Sequence, residues 1–161
     1  SDMLRYEAAE RFHLICTDSF LGRFPHAQWP QLAARWQSLL RPGGQLLTAS
    51  RLHPVPPPPQ VRFTDDQVLA FRNAVLHQAQ QLRIEPAIDS TELARVAEQY
   101  GRRQSNYPLR SVEELQSLLQ GAGFSIDELS ILTRNPDNRH GIRAPSVPCG
   151  ATFAGVVATR H

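Results

Sequence analysis

Lysine is absent from the 161 residues, and all 17 basic side chains other than histidine are arginine. Against 15 acidic residues this leaves a formal charge of only +2. So small an excess does not create the field that nucleic-acid binding draws on, and no arginine run is interleaved with aromatics. A nucleic-acid partner is therefore not expected. Cysteine is scarce, with only Cys16 and Cys149. Two cysteines do not make a disulfide framework in a chain this size, which points to a reducing cytoplasm. Neither combines with His26, His77, His140 or His161 at metal-ligand spacing, so no metal is expected. No apolar run approaches the roughly 20 residues of a membrane helix. The start, Ser1-Asp2-Met3-Leu4-Arg5, lacks the apolar segment of a signal peptide. What is present, 41% hydrophobic and 20% charged residues, suits one soluble globular domain with a real core.

Hydrophobic spacing divides the chain into elements. Phe12 to Thr17 is a short apolar run without alternation, the pattern of a central parallel strand buried on both faces. Cys16 inside it is expected to be a buried free thiol. Trp29, Leu32, Ala33, Trp36, Leu39 and Leu40 recur at the spacing of one helical face. Pro30 suits its first turn, and Arg41-Pro42-Gly43-Gly44 ends it. Gln45 to Ser50 reads as a second strand. Leu52 to Pro59, with four consecutive prolines, reads as a stiff extended connector.

Two helices follow. Thr64 can cap the first, with Val68, Phe71, Val75 and Leu82 on one face. Asp89 or Ser90 can cap the second, with Leu93, Val96, Ala97 and Tyr100 on one face. A third starts at Ser111 with Glu114 as a capping box and ends at Gly121 and Gly123. Phe124 to Leu132 is a strand, 134–150 a long loop, and Thr152 to Thr159 a closing strand. Alternating strands and helices predict a parallel sheet sandwiched by helices. The last two strands have no helix between them and are expected to be antiparallel neighbours.

Four pieces in this order resemble class I S-adenosylmethionine-dependent methyltransferases. They are Phe12-His13-Leu14-Ile15 with the turn Thr17-Asp18-Ser19, Leu40-Arg41-Pro42-Gly43-Gly44 running into a strand, Ala122-Gly123-Phe124, and the closing strand Phe153 to Ala158. The resemblance covers nearly the whole chain apart from about Leu52 to Leu109. It implies an α/β fold: part of a Rossmann-like doubly wound sheet in three αβα layers, with an antiparallel C-terminal strand pair. Residues 1–161 would be the C-terminal part of the methyltransferase domain, and about 60–108 a helical insertion able to cap a substrate pocket. Two departures stand out. His13 occupies a position where the family usually has Asp, and no glycine-rich GxGxG turn is present. The chain is expected to begin where the family's third strand ends, as a piece incomplete for cofactor binding.

A doubly wound sheet binds ligands at the carboxyl ends of its strands. That singles out Asp2-Met3, Thr17-Asp18-Ser19 and Ser50-Arg51-Leu52-His53. The resemblance implies S-adenosylmethionine as cofactor and a small molecule as methyl acceptor. Asp2 would accept a hydrogen bond from the adenine amino group, and Met3 would offer its backbone N–H to a ring nitrogen. Thr17, Asp18 and Ser19 would complete the cofactor side. Asp18 would face the methyl donor or orient a nucleophile; the plainer reading is a turn aspartate. His53 would be a general base near neutrality, or simply a surface histidine. Arg51 would hold an acidic substrate, or be solvated. Tyr100 and Tyr107 would line the substrate cap, although helical spacing also suits Tyr100 to core packing. A Ser19-His53-Asp18 triad lacks a nucleophile elbow and is set aside. The alternative to an enzyme is a non-catalytic scaffold for protein contacts, and a homodimer suits a fragment with open sheet edges.

Overall fold

The computed structural model describes residues 2–53, 60–81, 89–133 and 152–161. Pro56 to Pro59, Leu82, the 134–150 loop, His140 and Cys149 lie outside them. The chain divides into two compact units. A sheet unit holds Ser1–Pro59, Tyr107–Arg134 and Gly150–His161; a helical unit holds Gln60–Asn106 and Asn135–Cys149.

The sheet unit begins with a 3-10 turn at Met3–Arg5. Strand β1 (Phe12–Asp18) leads through two more 3-10 turns into helix α1 (Trp29–Leu39), and β2 (Leu40–Arg51) follows at once. Leu40, read as part of the helical face, instead opens the strand. The helix ends at Leu39, and Pro42-Gly43-Gly44 lies within the first residues of β2. Gly43 takes φ +73°, a conformation that side chains with a Cβ resist. Gly44 lies where a Cβ would come within 2.9 Å of the Arg41 carbonyl oxygen and 3.1 Å of that of Phe12.

Helix α4 (Val112–Gly121), β5 (Phe124–Thr133) and β6 (Thr152–Arg160) complete the unit. The strand order is β1-β2-β6-β5. β1 and β2 are parallel, and β6 runs antiparallel to both β2 and β5. Three of the four strands therefore point the same way, and the last two are the antiparallel neighbours expected.

The core lies on one face of this sheet. Leu46, Ala154, Val156 and Ala158 from the strands meet Trp29, Leu32, Ala33 and Trp36 of α1 and Leu115 and Leu119 of α4. The mixed α/β architecture matches the sequence reading. Within this unit it consists of two layers, and no described helix of the unit covers the opposite face. That face carries Leu14, 51% exposed, and Leu47, 46% exposed.

β1 departs from expectation. It is an edge strand pairing only with β2 among the described residues; five of its seven residues are exposed and none is buried, Cys16 among the exposed. Its apolar run marks two faces that can be covered, but among the described residues of this unit no helix covers one of them.

In the helical unit, α2 (Asp65–Gln81) and α3 (Ser90–Arg103) are joined to a short ribbon of β3 (Val61–Arg62) and β4 (Ser105–Asn106). Thr64 caps α2 by exchanging hydrogen bonds with Gln67. Asp89 caps α3 through the Glu92 N–H. Arg102 bridges Glu98 and Asp65. Only Val68, Ala97 and Gly101 are buried among this unit's described residues. Val96 and Tyr100, expected on a packed face, are 41% and 49% exposed. A two-helix hairpin has only one facing stripe to bury, and here that stripe is narrow.

Candidate functional site

Because β1 and β2 are parallel, their carboxyl ends share one edge of the sheet. Thr17 is in register with Thr48, and Asp18 with Ala49. The Ser19 N–H continues the ladder to the Ala49 carbonyl. Thr17, Asp18 and Ser19 are thus brought onto the same edge as Ser50, Arg51 and His53.

The turn after β1 is sharp: Ser19 has φ +52°, unusual for a residue with a side chain. Its hydroxyl donates to Asp18 Oδ1 at 3.0 Å, and Thr17 Oγ1 donates to Thr48 Oγ1 at 2.8 Å. Asp18 remains exposed.

At the end of β2, strand alternation puts Ser50 on the core face and Arg51 on the opposite face. Arg51 Nε, His53 Nε2 and Ser50 Oγ are all buried without a hydrogen-bond partner. Burial lowers the pKa of the Arg51 guanidinium from its ordinary value. Burial, and then the neighbouring Arg51 charge, push the His53 imidazole below its ordinary value. His53 is therefore a neutral imidazole near pH 7, able to accept a proton only weakly. Its backbone N–H is held by the Leu109 carbonyl.

The remaining predicted residues lie elsewhere. The Asp2 carboxylate accepts from the Leu4 N–H at 3.1 Å and faces Arg5. The Leu4 carbonyl in turn receives two hydrogen bonds from Arg35 of α1, and Met3 packs on the core. Tyr107 also packs against the core, edge-on to His26 at 6.0 Å, with its N–H bonded to the Gly22 carbonyl. Tyr100 belongs to the helical unit and stacks on Phe71 at 5.6 Å. His26 donates from Nε2 to the Pro108 carbonyl at 3.0 Å and lies 4.4 Å from the Trp29 ring. It tethers two segments of the core. No group of three or more potential metal ligands occurs among the described residues, and no described helix is long and apolar enough to cross a membrane.

The face opposite the helices contains a groove of about 600 Å³. It is lined by Cys16, Asp18, Leu47, Glu128, Leu132 and Val157, among others. Glu128 was not among the sequence candidates. A register shift between Ile126 and Glu128 turns the strand, so that Glu128 pairs with Val157 and shares its face. The apolar spacing Phe124, Ile126, Leu129, two residues and then three, is the sequence trace of that bulge.

No family model matches the chain, and neither does any curated protein. Solved structures do resemble it. One is a SAM-dependent methyltransferase from Methanosarcina mazei, with 15% identity and a TM-score of 0.52, covering 99% of this chain and 65% of that one. The fold is that of S-adenosylmethionine-dependent methyltransferases. A second structure with this fold is the 1,6-didemethyltoxoflavin-N1-methyltransferase of Burkholderia thailandensis, solved with 1,6-didemethyltoxoflavin and S-adenosylhomocysteine bound. It is 14% identical with a TM-score of 0.54, over 98% of this chain and 48% of that one. The chain thus spans roughly half to two thirds of these methyltransferase-fold chains.

Proposed function

We propose that the chain is the C-terminal part of an S-adenosylmethionine-dependent methyltransferase domain acting on a small molecule. The observation that carries this reading is the shared edge of the parallel pair β1 and β2. It lines up Thr17, Asp18 and Ser19 with Arg51 and His53 in a fold common to such enzymes. When bound, the cofactor supplies an already activated methyl group, and the protein's share is alignment and exclusion of water.

The fit to that cofactor is partial. Asp18 keeps acceptor capacity beyond its bond to Ser19, and Thr17 and Ser19 border the same edge. The Asp2 carboxylate, by contrast, is engaged by Leu4 and Arg5, and the sequence has no glycine-rich turn. The chain offers one side of a binding site, and no transfer step follows from it alone. Arg51 and His53 are assigned to the acceptor side. Tyr107 is assigned to the core. Tyr100 would serve in a substrate cap built from the helical unit.

Titration calorimetry with S-adenosylhomocysteine tests the reading. A longer polypeptide carrying additional sequence before Ser1 is expected to bind, and the 161-residue chain to bind far more weakly. Binding by neither would favour the second reading, a non-catalytic scaffold for protein contact or dimerisation. The exposed Leu14 and Leu47 on one face of the sheet support that alternative.

A further inference from the structure

Buried polar atoms without partners are rare in folded proteins, and each one calls for a physical explanation. In the sheet unit, Trp36 Nε1 stands alone inside the core, and Arg160 already uses another guanidinium nitrogen on the Leu40 carbonyl. Arg51 Nε and His53 Nε2 differ from these. They are two nitrogen functions, two residues apart, at the carboxyl end of β2, near enough for the Arg51 charge to act on the His53 ring. Arg51 makes no ion pair among the described residues, although Asp18 and Glu128 lie on the same face of the sheet.

A half-buried guanidinium without a counter-charge is an incomplete arrangement. The planar fork of arginine matches a carboxylate, and its neighbour His53 can add a donor from Nε2. Across the sheet, Arg51 is in register with Phe153, and Phe153 with Leu132. The cation therefore ends an apolar row. One permanent charge beside apolar surface suits a monoanion attached to an apolar or aromatic body.

We infer that Arg51 and His53 form a carboxylate-binding subsite, with Phe153 and Leu132 beside it for the apolar body of the same ligand. In the proposed methyltransferase this ligand is the acceptor, so the acceptor would be a small carboxylic acid. That last assignment rests on the methyl-transfer reading; the subsite itself does not.

The test is a titration of the ¹⁵N-labelled 161-residue chain at constant ionic strength. Sodium benzoate is the probe, and benzamide is its uncharged counterpart. Saturable shifts of the Arg51 Nε–H and His53 ring resonances are expected with benzoate, with benzamide at least tenfold weaker. R51Q and H53Q should each weaken benzoate binding, R51Q by tenfold or more. Equal responses to both probes, no shift at either residue with benzoate, or unchanged benzoate binding by R51Q would overturn the subsite. The comparison of probes on the unaltered chain decides the matter even if a variant folds poorly. S-adenosylhomocysteine titrated into the longer polypeptide reports on the cofactor separately. A benzoate response here without cofactor binding there supports the subsite and counts against methyl transfer alone.

Discussion

Gly43 and Gly44 are adjacent, yet they resist substitution for different reasons. At Gly43 the obstacle is conformational: φ is +73°, while a Cβ placed there would meet nothing within 4 Å. G43A should cost about 1–2 kcal/mol, and G43N less, because asparagine tolerates this region. At Gly44 the obstacle is space, since an added Cβ would crowd three backbone oxygens at 2.9, 3.1 and 3.2 Å. Backbone cannot rotate away as a side chain can, so G44A should lose about 1–3 kcal/mol, and G44N should not recover it. Urea unfolding of the four proteins separates the two mechanisms. His53 yields a second prediction at this scale. Its folded pKa lies below its unfolded value, so the unfolded chain takes up a proton first as pH falls. Its stability contribution is intact above about pH 6.5 and is lost as pH falls from there toward the folded pKa. H53Q should remove that part of the acid-side slope, measured as the difference between wild-type and variant stability against pH. R51Q should raise the His53 pKa, because it removes the charge that helps depress it. An unchanged His53 titration in R51Q would contradict the assigned cause.

Among the elements, α4 shows how much of the fold local chemistry dictates. The Ser111 hydroxyl accepts the Glu114 N–H, while the Glu114 carboxylate accepts the Arg110 N–H. Leu115 and Leu119 are then directed into the core. S111A should cost about 1 kcal/mol in thermal or urea unfolding, and S111D should restore most of it. A full-sized loss in S111D would mean that the hydroxyl does more than cap. This helix, α1 with its tryptophan stripe, and the caps of α2 and α3 were all legible from residue spacing. So were the two strands that close the sheet. What was not legible depends on partners distant in sequence. The run Phe12 to Thr17 announces a strand with apolar faces, but cannot say whether anything covers them. The two-residue strands β3 and β4 carry no periodicity at all. The candidate site was legible to the same degree. Strand ends pointed to Asp2 and Met3 as well as to Thr17, Asp18, Ser19, Arg51 and His53; the parallel pairing places the last five on one edge, while Asp2 and Met3 lie elsewhere. The lack of any counter-ion for Arg51 among the described residues, and the bulge that turns Glu128 to the groove, exist only once the strands are paired.

For the whole molecule, the exposed apolar side chains on one face of the sheet predict association. Leu14, Leu47 and Leu132 are 51%, 46% and 51% exposed, and strand alternation puts them on the same side. Monomeric proteins seldom leave such a surface bare. The other edge of β1, unpaired among the described residues, compounds this. Its seven residues include no proline or lysine, and its one carboxylate, Asp18, stands at the end, so the usual defences against edge pairing are missing. The 161-residue chain should therefore form concentration-dependent species larger than a monomer in sedimentation velocity. The double variant L14E/L47E should shift it toward monomer. Both side chains are exposed, and changes of this kind usually alter stability by within about 0.5 kcal/mol per site, so the circular dichroism spectrum should be unchanged. The same measurement separates the two functional readings. If further polypeptide covers this face, the longer protein should be monomeric and indifferent to where its concentration is set, while L14E/L47E should now destabilise it by burying charge. If the face is a contact surface in its own right, the longer protein should associate as the short one does, and the double variant should release it without loss of stability.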